Sequence, residues 1–557
     1  MAELLNLTLG QLLDEKAAQF PNTDCVVYND RDFRTTYAQF RDMTDLVGKG
    51  LMKLGVQKGD HVAIWATNVP EWMLTMFSCA KIGAVMVTVN TNYKTFEAEY
   101  LLKQSDTHTL ILIDGFKDTC YTQIMNELVP EMAGKQPGEW SSAKLPRLKN
   151  VIHVTGAKAS TEKSGSLDGM LDWSALYAMG QQVSDEELHA RQATLSEHDV
   201  VNMQYTSGTT GFPKGVMLTH YNIVNDGLLM GDCMKFTEHD RLCITVPLFH
   251  CFGCVLGVMT CMTHATSMVM VEYFSPNAVM KAISDEKCTA FHGVPTMFIT
   301  ILGHADFEKY DFSHLRTGIM AGSPCPIAVM QEAVDRMNVR EITSVYGLTE
   351  ASPGCTQTRV TDSLELRVST VGQALPHIEC KVVDPETGLE CPPNVPGEFM
   401  AKGFNIMRGY YNMPEATAAA IEDGWLHSGD LATKDENGYY RITGRIKDMI
   451  IRGGENIYPK ELEEFLYTHP KVSDVQVIGV PSKQYGEEVL AYVIPKKDED
   501  ITEEELRDFF RKHMSRHKMP KYILFTDNFN MTASGKIQKY KLRERAVEEL
   551  GLQNELN

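Results

Sequence analysis

The hydrophobic and polar positions in the N-terminal part of the chain follow two alternating periods. Amphipathic helical segments such as TYAQFRDMTDLVGKGLMKLG and TFEAEYLLKQSD alternate with short apolar runs such as HVAIW, AVMVTV and TLILID. This alternation is typical of α/β layers built on mostly parallel sheets. A first helix is expected near the N-terminus, where Thr8 and Gln11 have the spacing of a capping box and Leu9, Leu12 and Leu13 share one face.

Toward the C-terminus the pattern changes twice. Short strands and turns, including the NG turn before YYRITGR, indicate a β-rich subdomain at about 368–446. A second α/β unit follows, with a helix starting at Pro459, a capping box of Thr502 and Glu505, and strands VQVIGV and VLAYVI between them. We therefore predict an α/β protein with a large N-terminal domain of layered sheets (1–446) and a small C-terminal α/β domain (447–557). The boundary lies near Ile446, in the charged, glycine-containing segment GRIKDMIIRGGEN.

The composition narrows the class of protein. The chain has 557 residues, of which 43% are apolar, so at least two globular domains are expected. A formal net charge of -20 argues against a non-specific nucleic-acid binder, because phosphate backbones are bound by basic surfaces. The longest apolar run, FGCVLGVMTCM, is shorter than the ~20 residues of a membrane span, and the N-terminus lacks the pattern of a secretory signal. A cytoplasmic location is therefore expected.

The 13 cysteines are scattered in apolar surroundings, which favours reduced, buried thiols over a disulfide framework. One group also allows a zinc or redox interpretation, because it contains a CxxC pair and a nearby histidine. A structural zinc site normally shows two tight ligand pairs separated by a loop, whereas here one pair lies in an apolar segment, so buried thiols are preferred. The group consists of Cys243, Cys251, Cys254, Cys261 and His250.

The stretch YTSGTTGFPKG at 205–215 combines hydroxyls, glycines and a lysine, which are the groups that hold polyphosphates. It differs from the G-x-x-x-x-G-K-[ST] pattern, because Pro213 precedes Lys214 and Gly215 follows it. The stretch therefore predicts a phosphate-binding loop of another design.

Three further sequence clusters indicate which kind of phosphate-binding loop this is. They are YGLTE at 346–350, WLHSGD at 425–430 followed by GRIKD at 444–448, and TASGKIQKYKLR at 532–543. In this order and at these distances, the four clusters resemble the adenylate-forming superfamily of acyl- and aryl-CoA synthetases, luciferases and peptide-synthetase adenylation domains. The resemblance covers most of the chain, from about Thr36 to Arg543, and is strongest to medium-chain fatty acyl-CoA synthetases, with aryl-acid CoA ligases close behind.

The resemblance implies an ATP-dependent acid–CoA ligase that uses Mg²⁺ and coenzyme A. A carboxylate is a poor acylating agent because its leaving group would be oxide. Such enzymes therefore form an acyl-AMP with release of pyrophosphate, and the thiol of CoA then displaces AMP.

The same resemblance assigns roles around ATP. Glu350 is expected to bind Mg²⁺, Thr349 to touch phosphate, and Tyr346 to pack against adenine; Mg²⁺ prefers such hard oxygen ligands. Asp430 is expected to accept the ribose hydroxyls, with Arg445 as its cationic companion. The residues expected to hold the β and γ phosphates are Thr206, Ser207, Gly208, Thr209, Thr210, Gly211 and Lys214.

Lys536 matches the catalytic lysine of the C-terminal motif, where an ammonium group bridges the attacking carboxylate and the α-phosphate. The motif usually opens with proline, and this chain has Asn530 there, which puts the rigidity of the loop in question. By resemblance, Lys447 is the hinge about which the small domain rotates between the two half-reactions. After rotation, the segment Arg452, Gly453, Gly454 and Glu455 would line the tunnel for the pantetheine arm of CoA.

The residues of the acid pocket are expected from segments that match those of the family. His250 is also expected to have a catalytic role; the alternative is a histidine buried in the core. Nearby methionines and cysteines favour an adaptable apolar pocket for a medium-chain or aryl-substituted acid. Alternatives left open are an aryl-acid ligase of the benzoate or coumarate type and a non-catalytic nucleotide sensor, while no carrier domain or oxygenase signal favours a carrier-loading or luciferase-like enzyme. The expected pocket residues are His250, Val294, Ala321, Gly322, Ser323 and Pro324.

Overall fold

The protein is described by a computed structural model that covers residues 3–158, 161, 164–206, 213–322, 325–453, 455–514, 518–532 and 536–555. In chain order, the strands are β1 (Asp24–Tyr28), β2 (Phe33–Thr36), β3 (His61–Trp65), β4 (Val85–Thr88), β5 (Thr109–Leu112), β6 (Gly115–Phe116), β7 (Thr119–Cys120), β8 (Asn150–His153), β9 (Leu171–Asp172), β10 (Val200–Thr206), β11 (Lys214–Thr219), β12 (Arg241–Ile244), β13 (Ser267–Met270), β14 (Ala290–Gly293), β15 (Thr317–Met320), β16 (Glu341–Gly347), β17 (Gly354–Gln357), β18 (Gln373–Ala374), β19 (Ile378–Val383), β20 (Gly397–Gly403), β21 (Gly409–Tyr410), β22 (Ile421–Glu422), β23 (Trp425–Lys434), β24 (Tyr440–Arg445), β25 (Ile450–Arg452), β26 (Glu455–Ile457), β27 (Val472–Ser482), β28 (Gly486–Pro495) and β29 (Tyr522–Phe525).

The α-helices are α1 (Leu9–Gln19), α2 (Tyr37–Lys53), α3 (Pro70–Ile82), α4 (Thr95–Gln104), α5 (Tyr121–Leu128), α6 (Ala175–Gly180), α7 (Asp185–Gln192), α8 (His220–Met234), α9 (Thr260–His264), α10 (Pro276–Asp285), α11 (Pro295–Leu302), α12 (Ile327–Met337), α13 (Leu364–Ser369), α14 (Pro414–Ala420), α15 (Pro459–Tyr467), α16 (Glu503–His513) and α17 (Lys539–Glu549). A π-helix covers Phe252–Met259, and 3₁₀ turns cover Pro130–Met132, Phe307–Lys309, Thr349–Ala351, Ile446–Asp448 and Leu552–Glu555.

Two large mixed sheets form the N-terminal part of the molecule. One has the order β18-β17-β16-β15-β14-β12-β13-β1-β2, and the other has the order β21-β11-β10-β4-β3-β5-β8-β9. In both sheets the central strands are parallel. Antiparallel strands close both edges of the first sheet and the β11–β21 edge of the second, whose other edge strand, β9, is parallel to β8. This is the layered α/β fold that the alternating pattern predicts.

Local sequence signals explain where several helices begin. Thr8 accepts a hydrogen bond from the backbone N–H of Gln11, and the Gln11 side chain accepts one from the backbone of Thr8, so the predicted capping box is confirmed. The expected start of a helix at Pro459 is also confirmed. At Thr502 only half of the prediction holds, because Thr502 caps α16 but the Glu505 carboxylate pairs with Lys471 instead of returning to the cap.

Apolar contacts tie these layers together. One continuous core joins residues of both large sheets with helices α1, α2, α3, α8 and α9. A second core lies on the other face of the first sheet, against α10, α11 and α12. The predicted burial of the cysteine group is confirmed, since Cys243, Cys251, Cys254 and Cys261 are buried free thiols.

The C-terminal region contains two smaller sheets. Strands β19, β20, β22, β23 and β24 form an antiparallel sheet in the region where turns predicted short strands. The last sheet, β26-β25-β28-β27 with β29 beside β28, packs one face on α15 and α16 and the other on α17. No helix in the described part of the chain is long and apolar enough to cross a membrane.

Candidate active site

The predicted site residues gather at one edge of the first large sheet. Val294 directly follows β14, Ala321 directly follows β15, and Tyr346 lies near the end of β16. These three strands are parallel neighbours, so their carboxyl ends open on the same side, where ligands bind in open α/β sheets. Topology therefore explains how segments far apart in sequence contribute to one site.

The predicted phosphate loop connects the antiparallel pair β10 and β11, in which Thr206 pairs with Lys214. The described base of this hairpin is held from helix α4, because the Tyr100 hydroxyl donates to the carbonyl of Pro213 at 3.1 Å. Gln104 accepts a hydrogen bond from the Tyr205 hydroxyl on the same side. The predicted residues Ser207, Gly208, Thr209, Thr210 and Gly211 lie outside the described residues.

The expected nucleotide residues form a connected polar group. The Tyr346 hydroxyl donates to Asp430 Oδ2 at 2.8 Å, and Arg445 Nε lies 3.1 Å from Asp430 Oδ1. Asp430 and Arg445 face each other across the β23–β24 ladder, so sheet register sets their pairing. Burial raises the pKa of Asp430, and the charge of Arg445 opposes that rise. This group can present a carboxylate to vicinal hydroxyls.

Lys536 of the C-terminal segment lies at this site. Its ammonium interacts electrostatically with Arg445, Asp430 and Glu350, and also with Cys251. Burial lowers the pKa of Lys536, and the nearby Arg445 lowers it further. Its backbone N–H donates to Thr532 Oγ1 at 3.0 Å, which shapes the loop that carries it. The observed arrangement therefore places Lys536 in the site.

Glu350 and Thr349 lie in a 3₁₀ turn after β16. Thr349 is buried and its Oγ1 lies 3.5 Å from Cys251 Sγ. Glu350 Oε1 accepts a hydrogen bond of 2.9 Å from the Tyr410 hydroxyl, and Lys214 Nζ lies 4.5 Å from the centroid of the same tyrosine ring. Tyr410 therefore connects a residue of the phosphate loop with the expected metal ligand.

His250 precedes the π-helix and lies within electrostatic range of Lys536. Its Nδ1 accepts a hydrogen bond from the backbone N–H of Phe252 at 3.1 Å, so the proton of the neutral ring is on Nε2. Burial and the charge of Lys536 lower the pKa of His250 to about 3. The ring is therefore neutral at physiological pH and offers one N–H donor.

The expected acid pocket has a glycine at a close contact. Gly322 has a φ of +87°, and a Cβ there would lie 3.1 Å from Val294 Cγ1 and 3.6 Å from Phe252 Cδ1. Val294 and Ala321 are buried, as is Phe252 at the start of the π-helix. The predicted Ser323 and Pro324 lie outside the described residues.

The expected hinge and tunnel residues lie in the segment that follows β24. Lys447 is exposed in the short 3₁₀ turn between β24 and β25. Gly453 has a φ of +61° and its backbone N–H donates to the Tyr485 carbonyl at 2.8 Å, while Glu455 pairs with Arg452 in the β25–β26 ladder. Gly454 lies outside the described residues.

A preformed metal cage is absent from the described part of the chain, where no group of three histidine, cysteine, aspartate or glutamate side chains could hold an ion. A lone carboxylate such as Glu350 still fits Mg²⁺, because this ion is commonly bound by one or two carboxylates together with substrate phosphates.

Sequence reasoning missed the residues that connect the motifs. Tyr410, Tyr100 and Gln104 belong to no motif with a recognisable chemistry. Their contacts cross between 60 and 113 positions along the chain. Only the folded structure, which brings their elements together, shows that these residues belong to the site.

Comparison with known proteins fits this geometry. The family described as AMP-binding enzyme matches residues 13–411, and the family described as AMP-binding enzyme C-terminal domain matches residues 461–536. The chain belongs to the AMP-binding enzyme family. It is an adenylate-forming acid–CoA ligase that uses ATP and CoA, as the motifs implied.

Individual relatives cover nearly the whole chain. YngI of Bacillus subtilis (strain 168), provisionally named an acyl-CoA synthetase, is 52% identical over 553 residues, which are 99% of each chain. The mitochondrial medium-chain acyl-CoA ligase ACSF2 of Bos taurus is 39% identical over 99% of this chain and 89% of its own. Among solved structures, the anthranilate CoA ligase AuaEII in complex with anthranoyl-AMP has a TM-score of 0.83, with 26% identity over 98% of this chain and 99% of that one.

Proposed function

We propose that this ligase activates a medium-chain fatty acid or an aryl-substituted acid, using Lys536 for adenylation and a rotation about Lys447 before thioester formation. In the first step the acid attacks the α-phosphorus of ATP and pyrophosphate leaves. In the second step the CoA sulfur attacks the acyl carbon and AMP leaves. The observation that carries this proposal is the position of Lys536 among Glu350, Asp430 and Arg445.

Lys536 acts where negative charge increases. The acid carboxylate and the α-phosphate repel each other as they approach, and one partly buried ammonium between them stabilises the transition state. His250 supports this step, because its neutral ring offers the Nε2 proton as a hydrogen-bond donor without adding a second cation beside Lys536.

The nucleotide is oriented by the polar group around Asp430. Its carboxylate accepts hydrogen bonds from the ribose hydroxyls, and Arg445 and the Tyr346 hydroxyl keep it in place. The Tyr346 ring packs against adenine. Lys214 and the hydroxyls and backbone N–H groups of the phosphate loop hold the β and γ phosphates of the leaving pyrophosphate.

Glu350, together with the phosphates of ATP, would hold Mg²⁺. When bound, it neutralises phosphate charge. Thr349 contributes its hydroxyl to the same phosphates. The Glu350 carboxylate is suited to this role because only Oε1 accepts the Tyr410 hydrogen bond, and a carboxylate has further acceptor positions.

Thioester formation needs a second arrangement of the small domain. The short turn that contains Lys447 joins β24 to β25, and such element-terminal residues absorb the backbone changes of domain rotation. Rotation removes Lys536 from the site and brings Gly453, Gly454 and Glu455 beside the pantetheine arm.

The pocket residues favour the acid class. Phe252 and Val294 are apolar and pack close to Gly322, and a pocket lined by them would gain about 0.8 kcal/mol for each methylene of the acid that it buries. ACSF2 is named for medium-chain acids and AuaEII for anthranilate, which supports both an aliphatic and an aryl substrate. Medium-chain acids are preferred because ACSF2 is the more similar in sequence.

We also propose that the enzyme works in the cytoplasm in fatty acid metabolism. All 13 cysteines are free thiols, and reduced thiols persist in that compartment.

A substrate screen tests the proposed acid class. Purified protein is incubated with ATP, Mg²⁺, CoA and one acid, and AMP and the CoA thioester are measured for acetate, hexanoate, octanoate, benzoate and cinnamate. We expect hexanoate or octanoate to give the highest kcat/KM and acetate to be poor. A preference for acetate would contradict the apolar pocket, and AMP release without thioester would contradict CoA as the acceptor.

A further inference from the structure

Tyr410 occupies a position that no motif assigns. Its ring is buried between the strand that ends the phosphate loop and the turn that carries Glu350. Its hydroxyl donates to Glu350 Oε1 at 2.9 Å, and Lys214 Nζ lies 4.5 Å from the ring centroid. One side chain therefore contacts two charged groups that lie 136 residues apart in sequence.

The backbone around Tyr410 is fixed to both elements that the ring joins. Tyr410 pairs with Val216 in the β11–β21 ladder, next to the phosphate loop. On the other side, the Met407 backbone N–H donates to the Glu350 carbonyl at 2.8 Å. The backbone N–H of Tyr410 also donates to Thr417 Oγ1 at 2.9 Å. The ring therefore has little freedom to move away from either charge.

Each contact has a defined chemical effect. A phenol hydroxyl that donates to one carboxylate oxygen fixes the orientation of the carboxylate and leaves the other oxygen to accept or to bind a cation. An ammonium group near the face of an aromatic ring is attracted by the ring's negative face. Tyr410 thus sets the distance between the Glu350 carboxylate and the Lys214 ammonium.

We propose that Tyr410 is a positioning residue that couples Lys214 to Glu350, so that the triphosphate and its Mg²⁺ are bound as one unit. This inference rests on the proposed roles of Lys214 and Glu350. The hydroxyl positions Glu350 for the metal ion, and the ring positions Lys214 for the phosphates. The two effects can be separated, because Tyr410→Phe removes only the hydroxyl, whereas Tyr410→Leu removes the hydroxyl and the aromatic face.

The next residue supplies a matched control. Tyr411 is a partly buried tyrosine, and its hydroxyl donates to Asp106 Oδ2 at 3.0 Å instead of to Glu350. Tyr411→Phe removes the same atom from the same loop. A loss that follows Tyr410→Phe but not Tyr411→Phe therefore belongs to the contact with Glu350.

ATP binding without an acid substrate measures the coupling directly. Titration calorimetry of the full chain gives the ATP affinity with excess Mg²⁺ and again with EDTA. In Tyr410→Phe we expect the affinity with Mg²⁺ to fall about tenfold, in line with a hydrogen bond to a charged group, and the affinity in EDTA to stay unchanged. In Tyr410→Leu both affinities fall, and in Tyr411→Phe neither changes.

Steady-state kinetics provides a second readout. For Tyr410→Phe we expect a higher KM for MgATP with nearly unchanged kcat, and a higher Mg²⁺ concentration should restore the rate. Equal losses in Mg²⁺ and in EDTA would show a merely structural role and overturn the proposal. So would a wild-type Mg²⁺ response in Tyr410→Phe.

The test separates this proposal from the proposed acid–CoA chemistry. The calorimetry contains no acid and no CoA, so it decides the role of Tyr410 whichever acid the enzyme uses. Failure of the wild-type enzyme to activate any acid in the screen would overturn the proposed substrate class alone. Full activity together with an unaltered Mg²⁺ response in Tyr410→Phe would overturn the Tyr410 proposal alone.

Discussion

Gly322→Ala is predicted to shorten the acid pocket. The new methyl group would lie 3.1 Å from Val294 Cγ1 and 3.6 Å from Phe252 Cδ1, which is tighter than ordinary van der Waals contact on the valine side. Overpacking of this kind typically costs about 1–3 kcal/mol of folding stability. Each methylene of substrate that is excluded forfeits about 0.8 kcal/mol of burial, so the loss of two methylenes should lower kcat/KM for octanoate about tenfold.

The backbone gives a second, length-independent cost. Gly322 has a φ of +87°, and a residue with a Cβ loses roughly 1–2 kcal/mol in the left-handed region. This cost lowers the free energy of unfolding of the enzyme and does not depend on the substrate, so thermal unfolding is measured together with the kinetics. The pocket effect instead depends on chain length, and acetate should change less than about twofold.

The assay compares kcat/KM for acetate, butyrate, hexanoate and octanoate in wild type, Gly322→Ala, Val294→Ala and the double variant. Val294→Ala removes the Cγ1 atom that the new methyl group meets, so the double variant should recover most of the octanoate activity of Val294→Ala. An equal loss on acetate and octanoate, or no recovery in the double variant, would refute the placement of Gly322 in the pocket.

Three further predictions concern other parts of the molecule. Burial raises the pKa of Asp430 and lowers that of Lys536, so kcat/KM for ATP should be lost at a higher pH on the acid side than an ordinary carboxylate gives, as Asp430 is protonated. On the alkaline side it should be lost below the usual lysine range, as Lys536 loses its proton; Lys536→Arg should move this limb to higher pH, and an unmoved limb would contradict the assignment. Gly454→Trp should preserve acid-dependent pyrophosphate exchange and abolish thioester formation, and loss of exchange would show that the tunnel is misplaced. Lys81 is buried and pairs with the partly exposed Asp14 at 2.6 Å and with Asp45, so Lys81→Ala should destabilise the protein by about 1–3 kcal/mol, and an unchanged thermal midpoint would contradict this.

The alternating pattern predicts the α/β fold because amphipathic helices and buried strands leave different periods in the sequence. It also predicts the start of α1 at Thr8 and of α15 at Pro459, since capping depends on residues within one turn. The Glu505 half of the second capping box was wrong because a competing partner, Lys471, comes from another element. Local sequence carries no information about such a partner.

The same distinction applies to the site. Roles for Lys536 and Asp430 could be predicted because each residue lies in a motif that resembles a known family. Tyr410 could not, because its role depends on a 2.9 Å contact with Glu350, which follows from the pairing of β11 with β21. The π-helix at Phe252–Met259 was also missed, since its apolar sequence fits a buried α-helix or strand equally well.

The central claim is that Lys536 serves adenylation and not thioester formation. The most direct measurement compares wild type and Lys536→Ala in the two half-reactions, using octanoate-dependent exchange of labelled pyrophosphate into ATP and CoA thioester formation from supplied octanoyl-AMP. We expect exchange to fall by about 10²- to 10³-fold, as for loss of one charge-stabilising group, while thioester formation from octanoyl-AMP stays within about threefold of wild type. An equal loss in both half-reactions, or exchange that survives without Lys536, would contradict the account.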